Sequence, residues 1–477
     1  MCMSFGDFLF DGSNADSIDN YLLIYKSVKE ATDNSKLIFL DNQELEDSIT
    51  YFIDEDEPQK ALEIINYALS IFTENVEFIL LKAETLIDLK KFEEALILLN
   101  IIENKEPYNA RVYLLRASIY EINNEGDKVI GEYHKALFND VNEPELIYEE
   151  LGFYFLSKEN YNDAVKSFKK CIEIDKENIN VFDALTDIYI EHLGTIEGLS
   201  FFEQFTNANP ECINAWFSAG CLFQDEELYH KAIKAYEKVL QIDEHHLISI
   251  ENVIQCLKLT RNFKRIVKIC RYYIDFMHPY FVYEMAETLF DMGEVDDSLK
   301  HYFQLYDENQ NDIEAILGIA RCYAFQGYYK KAFQFLDIGL KNNIDNTDLL
   351  VFKGLLLKET GEYDSAAKDL EKALLLGFDS DNSDVFFELA DVYCEIDDFN
   401  AAIDALLKGL DENKNNPKLL FFLAACYYNF NNKEKAYLTF EDAIVLEKNA
   451  YNIFFDKCII AQSDNYIMDI IQKNNTI

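Results

Sequence analysis

The sequence predicts an all-α chain, a solenoid of stacked helix pairs, and three observations carry that prediction. A small residue recurs about every 34 positions over most of the 477 residues. Around each recurrence the apolar residues follow helical spacing in two successive blocks. The prolines and several glycines fall between those blocks, where helices stop and start.

The recurrence can be read directly. YNDAVKSFKKCIEID (161–175) returns as YHKAIKAYEKVLQID (229–243), YDSAAKDLEKAL (363–374) returns as FNAAIDALLKGL (399–410), and NKEKAYLTFEDAI (432–444) has the same form. The anchoring residues are Ala61, Ala95, Val129, Ala164, Gly198, Ala232, Ile266, Ser298, Ala332, Ala366, Ala402 and Ala436. Their spacings are 34, 34, 35, 34, 34, 34, 32, 34, 34, 36 and 34, which makes twelve units.

Each unit reads as two antiparallel helices, A and B. Helix A carries a small residue where helix B crosses it: Ala83, Ala117, Gly152, Gly220, Ala286, Ala320, Gly354, Ala390 and Ala424. Small against small lets two backbones approach, and the large residue four places after the anchor (Phe168, Phe202, Tyr236, Tyr302, Phe440) fills the space beside them. Pro58 is expected in a turn within a repeat, and the other five prolines lie between repeats or in the first turn of a helix A. Gly293, Gly327 and Gly361 are expected in A-to-B turns. Repeat seven departs from the pattern: Ile254 and Ile266 hold both small sites, and such β-branched side chains should hold its helices further apart.

The signature of repeat six is Trp216-x2-Ala219-Gly220-x2-Phe223, then Ala232-x3-Tyr236. Repeat four reads Tyr148-x2-Leu151-Gly152-x2-Phe155, then Ala164-x3-Phe168, and repeat twelve reads Leu420-x2-Leu423-Ala424-x2-Tyr427, then Ala436-x3-Phe440. In this register the chain resembles the tetratricopeptide repeat family over residues 42–449. The resemblance implies a right-handed superhelix of about twelve helix-turn-helix units, closed at the C-terminal end by a capping helix, whose helix A faces line a concave groove for partners.

Outside the repeats, residues 1–17 are expected to be disordered, and 18–41 to form a helix and linker, with Asp41 and Glu44 as a capping box for the first helix A. Residues 450–477 are expected to cap the last core, with Phe454 at a packing site and Cys458 at a small site.

Composition narrows the function. Acids outnumber bases 87 to 43, for a net charge of -44. That disfavours nucleic acid and anionic membrane surfaces, and reads either as solubility or as attraction for basic partners. No apolar run reaches membrane-spanning length. The ten cysteines form no CxxC pair, and scattered thiols fit a reducing, cytoplasmic location. Phosphate-binding, nucleophile-elbow and zinc-protease motifs are missing, so neither catalysis nor a cofactor or metal is expected. The adjacent His245 and His246 read as solvated loop residues, and Trp216 as core.

The expectation is therefore a protein-interaction scaffold; the rivals are a ligand-responsive regulator and a subunit of an enzyme complex. In the register that the resemblance supplies, repeats one to five present Glu46, Glu77, Glu84, Glu121, Glu149, Asp183 and Asp187 to the groove, against Arg111 alone. Repeats nine to twelve present Leu317, Val351, Leu355, Phe387, Phe421 and Tyr428. No repeat has Lys at the first position of the family's clamp for C-terminal carboxylates, so a receptor of that kind is not expected. Lys264, Arg265, Lys268 and Arg271 on helix B of repeat seven form a basic patch, read either as charge balance or as a convex docking site. Expected partners are basic or amphipathic proteins or peptides, with self-association also open.

Overall fold

The computed structural model describes residues 14–33, 40–139, 143–377 and 383–475. Among these every regular element is helical. The first helix, Asn14–Asp33, begins inside the segment expected to be disordered, whose residues 1–13 lie outside the described ones. The chain then forms helix pairs. Repeats one to four are Asn42–Asp54 with Pro58–Ile71, Val76–Asp88 with Phe92–Lys105, Ala110–Ile122 with Gly126–Asn139, and Pro144–Ser157 with Tyr161–Ile174. Repeats five to eight are Ile179–Leu193 with Thr195–Ala208, Ile213–Asp225 with Tyr229–Ile242, Leu247–Leu259 with Phe263–Tyr273, and His278–Asp291 with Val295–Glu308. Repeats nine to twelve are Ile313–Phe325 with Tyr329–Asn342, Thr347–Glu359 with Tyr363–Leu376, Ser383–Glu395 with Phe399–Glu412, and Pro417–Asn429 with Lys433–Leu446.

The chain divides into two compact α-solenoid units, Met1–Cys256 and Leu257–Ile477, the division falling inside helix A of repeat seven. In the first unit the N-terminal helix lays Ile24, Val28 and Ala31 on Leu45, Ile49 and Ile64 of repeat one. Glu44 accepts from the Asp41 amide at 3.2 Å, fastening the start of helix A. In the second unit a core runs through repeats ten to twelve into the C-terminal segment. There the chain forms a short helix Asn452–Lys457, a tight turn of 3-10 helix and a last helix Asn465–Asn475, with Phe454 and Cys458 buried. Asp464 joins these parts: it accepts the hydroxyls of Tyr428 (2.9 Å) and Tyr437 (2.7 Å) and caps the last helix through the Tyr466 amide (3.0 Å). Burial works against its ionisation, but these donors outweigh burial and lower its pKa to about 2.

The turns follow one rule. Each repeat places one residue with positive φ between helix A and helix B: Asp56, Lys90, Asn124, Glu159, Gly194, Glu227, Arg261, Gly293, Gly327, Gly361, Asp397 and Asn431. A left-handed residue lets the chain reverse within three residues. Pro58 does not sit in its turn but opens helix B, where its fixed φ suits the first helical position. Repeat five differs, because residues 189–193 widen into a π-helical turn and the reversal moves to Gly194.

The helix crossings refine the small-against-small expectation. A Cβ on Gly152 would overlap the ring of Phe168, and one on Gly220 would overlap the ring of Tyr236. At Gly354 it would stand 2.8 Å from Leu370 and 3.4 Å from the Ala366 carbonyl. The small residue of helix A therefore receives the large residue of helix B, and the small anchor also comes close, as where the Ser298 hydroxyl donates to the Ala286 carbonyl at 2.7 Å. Between repeats the same device operates, since Tyr302 of repeat eight fills the space above Gly318 of repeat nine.

Candidate functional site

The helix A faces carry charge and apolar residues in different proportions in the two units. In the first unit Arg111 reaches back one repeat to bind both Glu77 and Glu84, the latter at 2.6 Å. The lone base expected in this stretch of groove is thus already held by two of its acids. Glu121 pairs with Lys158 at 3.6 Å, and Glu149 accepts from Asn178 at 2.7 Å while the Asn178 oxygen caps helix A of repeat five. Asp183 and Asp187, one turn apart, have no ion pair among the described residues, and both are exposed.

Although exposed, both carboxyls are held less acidic than usual by partial loss of solvation and by nearby acids. Lost solvation first, and Asp187 second, raise the pKa of Asp183; lost solvation and Glu191 raise that of Asp187. Glu46 is raised by lost solvation and by Glu77, Asp88 by lost solvation and by Glu84, and Glu150 by lost solvation and by Glu149 and Glu121. Helix A faces in this unit therefore hold several carboxylates that a cation would relieve.

In the second unit the helices A of repeats eight, nine and ten enclose a recess of about 200 Å³. Leu317, Val351 and Leu355, three of the six groove residues expected here, form its apolar lining with Phe352. Arg321 stands at the edge and grips both oxygens of Glu287 at 2.8 and 3.1 Å, while Tyr302 donates to the same carboxylate. Burial costs the guanidinium, yet the Glu287 charge outweighs that cost and raises its pKa. Tyr283 donates to Glu314 at 3.2 Å, and Asp348 completes the acidic rim. Sequence reading missed Arg321, Glu287, Glu314 and Asp348. Its usable signal was a base 34 residues after an acid, since Arg321 follows Glu287 as Arg111 follows Glu77.

The other expected groove residues fare differently. Phe421 is fully buried against Phe440, with ring centroids 5.3 Å apart, so it is a core residue and not part of a binding face. Phe387 is half-buried and rests on Phe422 at 4.8 Å. Lys457 lies over both rings and shares Asp391 with Lys358, and these partners outweigh burial to keep the Asp391 pKa low. Tyr428 is half-buried and its hydroxyl is committed to Asp464. On helix B of repeat seven, Lys264, Lys268 and Arg271 are exposed and Arg265 is half-buried. Lys258, in the same basic run, is tied to Glu284 at 2.6 Å. His246 is not a solvated loop residue: its ring accepts the Ser249 amide at 3.3 Å at the start of helix A. Trp216 is half-buried, and its indole donates to the Pro210 carbonyl at 2.9 Å.

Three family models described as "Tetratricopeptide repeat" match, at residues 52–119, at 147–178 and 213–246, and at 353–417. The chain carries tetratricopeptide repeats. Among proteins it resembles is the TPR repeat-containing protein YpiA of Bacillus subtilis, 21% identical over 387 residues, covering 81% of this chain and 75% of that one. Another is the TPR repeat-containing protein MJ1428 of Methanocaldococcus jannaschii, 23% identical over 319 residues, covering 62% of this chain and 55% of that one. Among solved structures, yeast Tom70 aligns over 90% of this chain and 98% of its own, with 13% identity and a TM-score of 0.44. MamA aligns over 35% of this chain and 97% of its own, with 17% identity and a TM-score of 0.32. Among the described residues of this repeat-bearing chain, no helix is long and apolar enough to cross a membrane.

Proposed function

We propose that this protein is a non-catalytic cytoplasmic scaffold that holds partner proteins or peptides along its helix A faces. The observation that carries this reading is the state of the acids in the first unit. Arg111 is already shared by Glu77 and Glu84, while Asp183 and Asp187 are exposed, have no ion pair among the described residues, and have pKa values raised by partial loss of solvation and by neighbouring acids. A basic or amphipathic segment supplies the missing cations. Binding should then weaken with added salt. The test is affinity capture from the source cells, comparing the native chain with Asp183→Lys combined with Asp187→Lys. Glu77 and Glu84 are left in place because they hold Arg111. Loss of basic partners, with reduced salt dependence of what remains, supports the reading. An unchanged partner set at every salt concentration rejects it.

A second surface has its own support. Lys264, Lys268 and Arg271 make no ion pair among the described residues, unlike Lys258, and so fit docking of an acidic partner better than internal charge balance. Replacing these three with Glu should remove such a partner and leave the melting temperature in place. A lowered melting temperature with partners retained would assign them to charge balance.

A further inference from the structure

The recess on repeats eight to ten is too small for a cofactor and wrongly charged for an apolar plug. Its volume of about 200 Å³ falls below the roughly 300–1,000 Å³ typical of small-molecule pockets, and is of the order of one or two side chains. Its lining residues Leu317, Val351 and Leu355 come from successive helices A and are only half-buried, so they offer apolar surface that the fold leaves uncovered.

Charge selects the occupant. Glu287, Glu314 and Asp348 face one cation, Arg321, and both oxygens of Glu287 already hold that guanidinium. Glu314 has the Tyr283 hydroxyl, and neither it nor Asp348 has an ion pair among the described residues. A purely apolar occupant would strip water from two carboxylates and return nothing. An acidic one would be repelled. A side chain with a methylene stem and a cationic head meets both demands. The chain contains its own precedent on the other unit, where Arg111 lies against Glu77 and Glu84.

We propose that this recess seats a lysine or arginine side chain of a partner protein, with its stem on Leu317, Val351 and Leu355 and its head between Glu314 and Asp348. This rests on the reading of helix A faces as the partner-binding surface and gives that surface a specific anchor.

The experiment uses the full chain and a short peptide alternating leucine and lysine, with an acetyl-lysine counterpart as control. A carbodiimide couples with no spacer, so at low concentration of a peptide with a blocked N-terminus it joins a lysine amine fastest to a carboxylate already beside it, and peptide mapping locates the links. Links from the peptide lysines should concentrate at Asp348 and Glu314. Val351→Lys, which places a cation in the recess, and the milder Asp348→Asn should each lower the Glu314 yield about tenfold, and the acetyl-lysine peptide should give none. Links spread evenly over exposed acids, or unchanged by both variants, overturn the proposal. Links confined to Asp183, Asp187 and their neighbours overturn the recess but leave the broader scaffold reading standing. Absence of links from every helix A removes both. Displacement by a free alkyl diamine more effective than salt of equal ionic strength would assign the recess to small amines and likewise overturn it.

Discussion

The ring of Tyr236 occupies the place that a Cβ on Gly220 would take. Helix propensity alone favours alanine over glycine by about 1 kcal/mol, so Gly220→Ala would stabilise an isolated helix. Overpacking a closed contact costs about 1–3 kcal/mol, and here the obstacle is a fully buried ring with no room to swing. Gly220→Ala should therefore lower the melting temperature, and adding Tyr236→Leu should recover part of the loss. An unchanged or higher melting temperature for the single variant would show that the helices separate freely.

The left-handed turn residues predict the opposite sign. Lys90, Glu159 and Arg261 hold φ values of 58°, 56° and 53° with full side chains. A side chain in this region costs roughly 1–2 kcal/mol, part of which glycine gives back through its freer unfolded state. Lys90→Gly and Glu159→Gly should each raise stability by about 0.5–1 kcal/mol, and Gly327→Ala should lower it. Chemical denaturation of the three variants checks both directions.

Asp464 sets the acid limit of the C-terminal segment. Its folded pKa of about 2 lies below the ordinary 3.8. Its contribution is therefore present above about pH 4 and lost as the pH falls through 2. The side chain is only 10% exposed, and the shift corresponds to about 2 kcal/mol. Asp464→Asn should lower stability at neutral pH by that order and remove the loss between pH 4 and 2. Hydrogen exchange of residues 452–475 is the readout, and equal protection in both proteins would contradict it.

The first unit should respond to acid with the opposite sign. Glu46, Asp88, Glu150, Asp183 and Asp187 all have raised pKa values, mainly through lost solvation. The folded state then binds protons before the unfolded state does, so stability rises as the pH falls from 7 into their raised range and levels off below about 4. Protection of helix A amides in repeats one to five, corrected for intrinsic exchange rates, should increase as the pH falls from 7 toward about 4. Asp183→Asn with Asp187→Asn should flatten that rise.

Much of the fold was legible because one period governs several demands at once. Ala164, Ala232 and Ala366 mark the repeats because the anchor position is fully buried and a small residue suits most of the crossings, although Val129 and Ile266 also stand there. The turn rule was visible only at Gly293, Gly327 and Gly361; at Lys90 or Glu159 the residue type gives no hint, since the two flanking helices impose the conformation. Phe421 was misread because helical phase places it on the helix A face, while its depth depends on how closely Phe440 packs. Arg321 and Glu287 were missed because charge was counted along each helix, whereas their contact crosses from one repeat to the next.

Tyr302 above Gly318 bears on how such a chain can change length. The contact joins position to position across neighbouring repeats of the second unit, as Arg321 and Glu287 do. Removing or duplicating one whole period there presents each aromatic ring with an equivalent place to land, while an indel of half a period sets helix B against helix B. Length variants of this protein should therefore come in steps of one repeat, and each step adds or removes one slat of helix A surface without requiring a new interface to be invented.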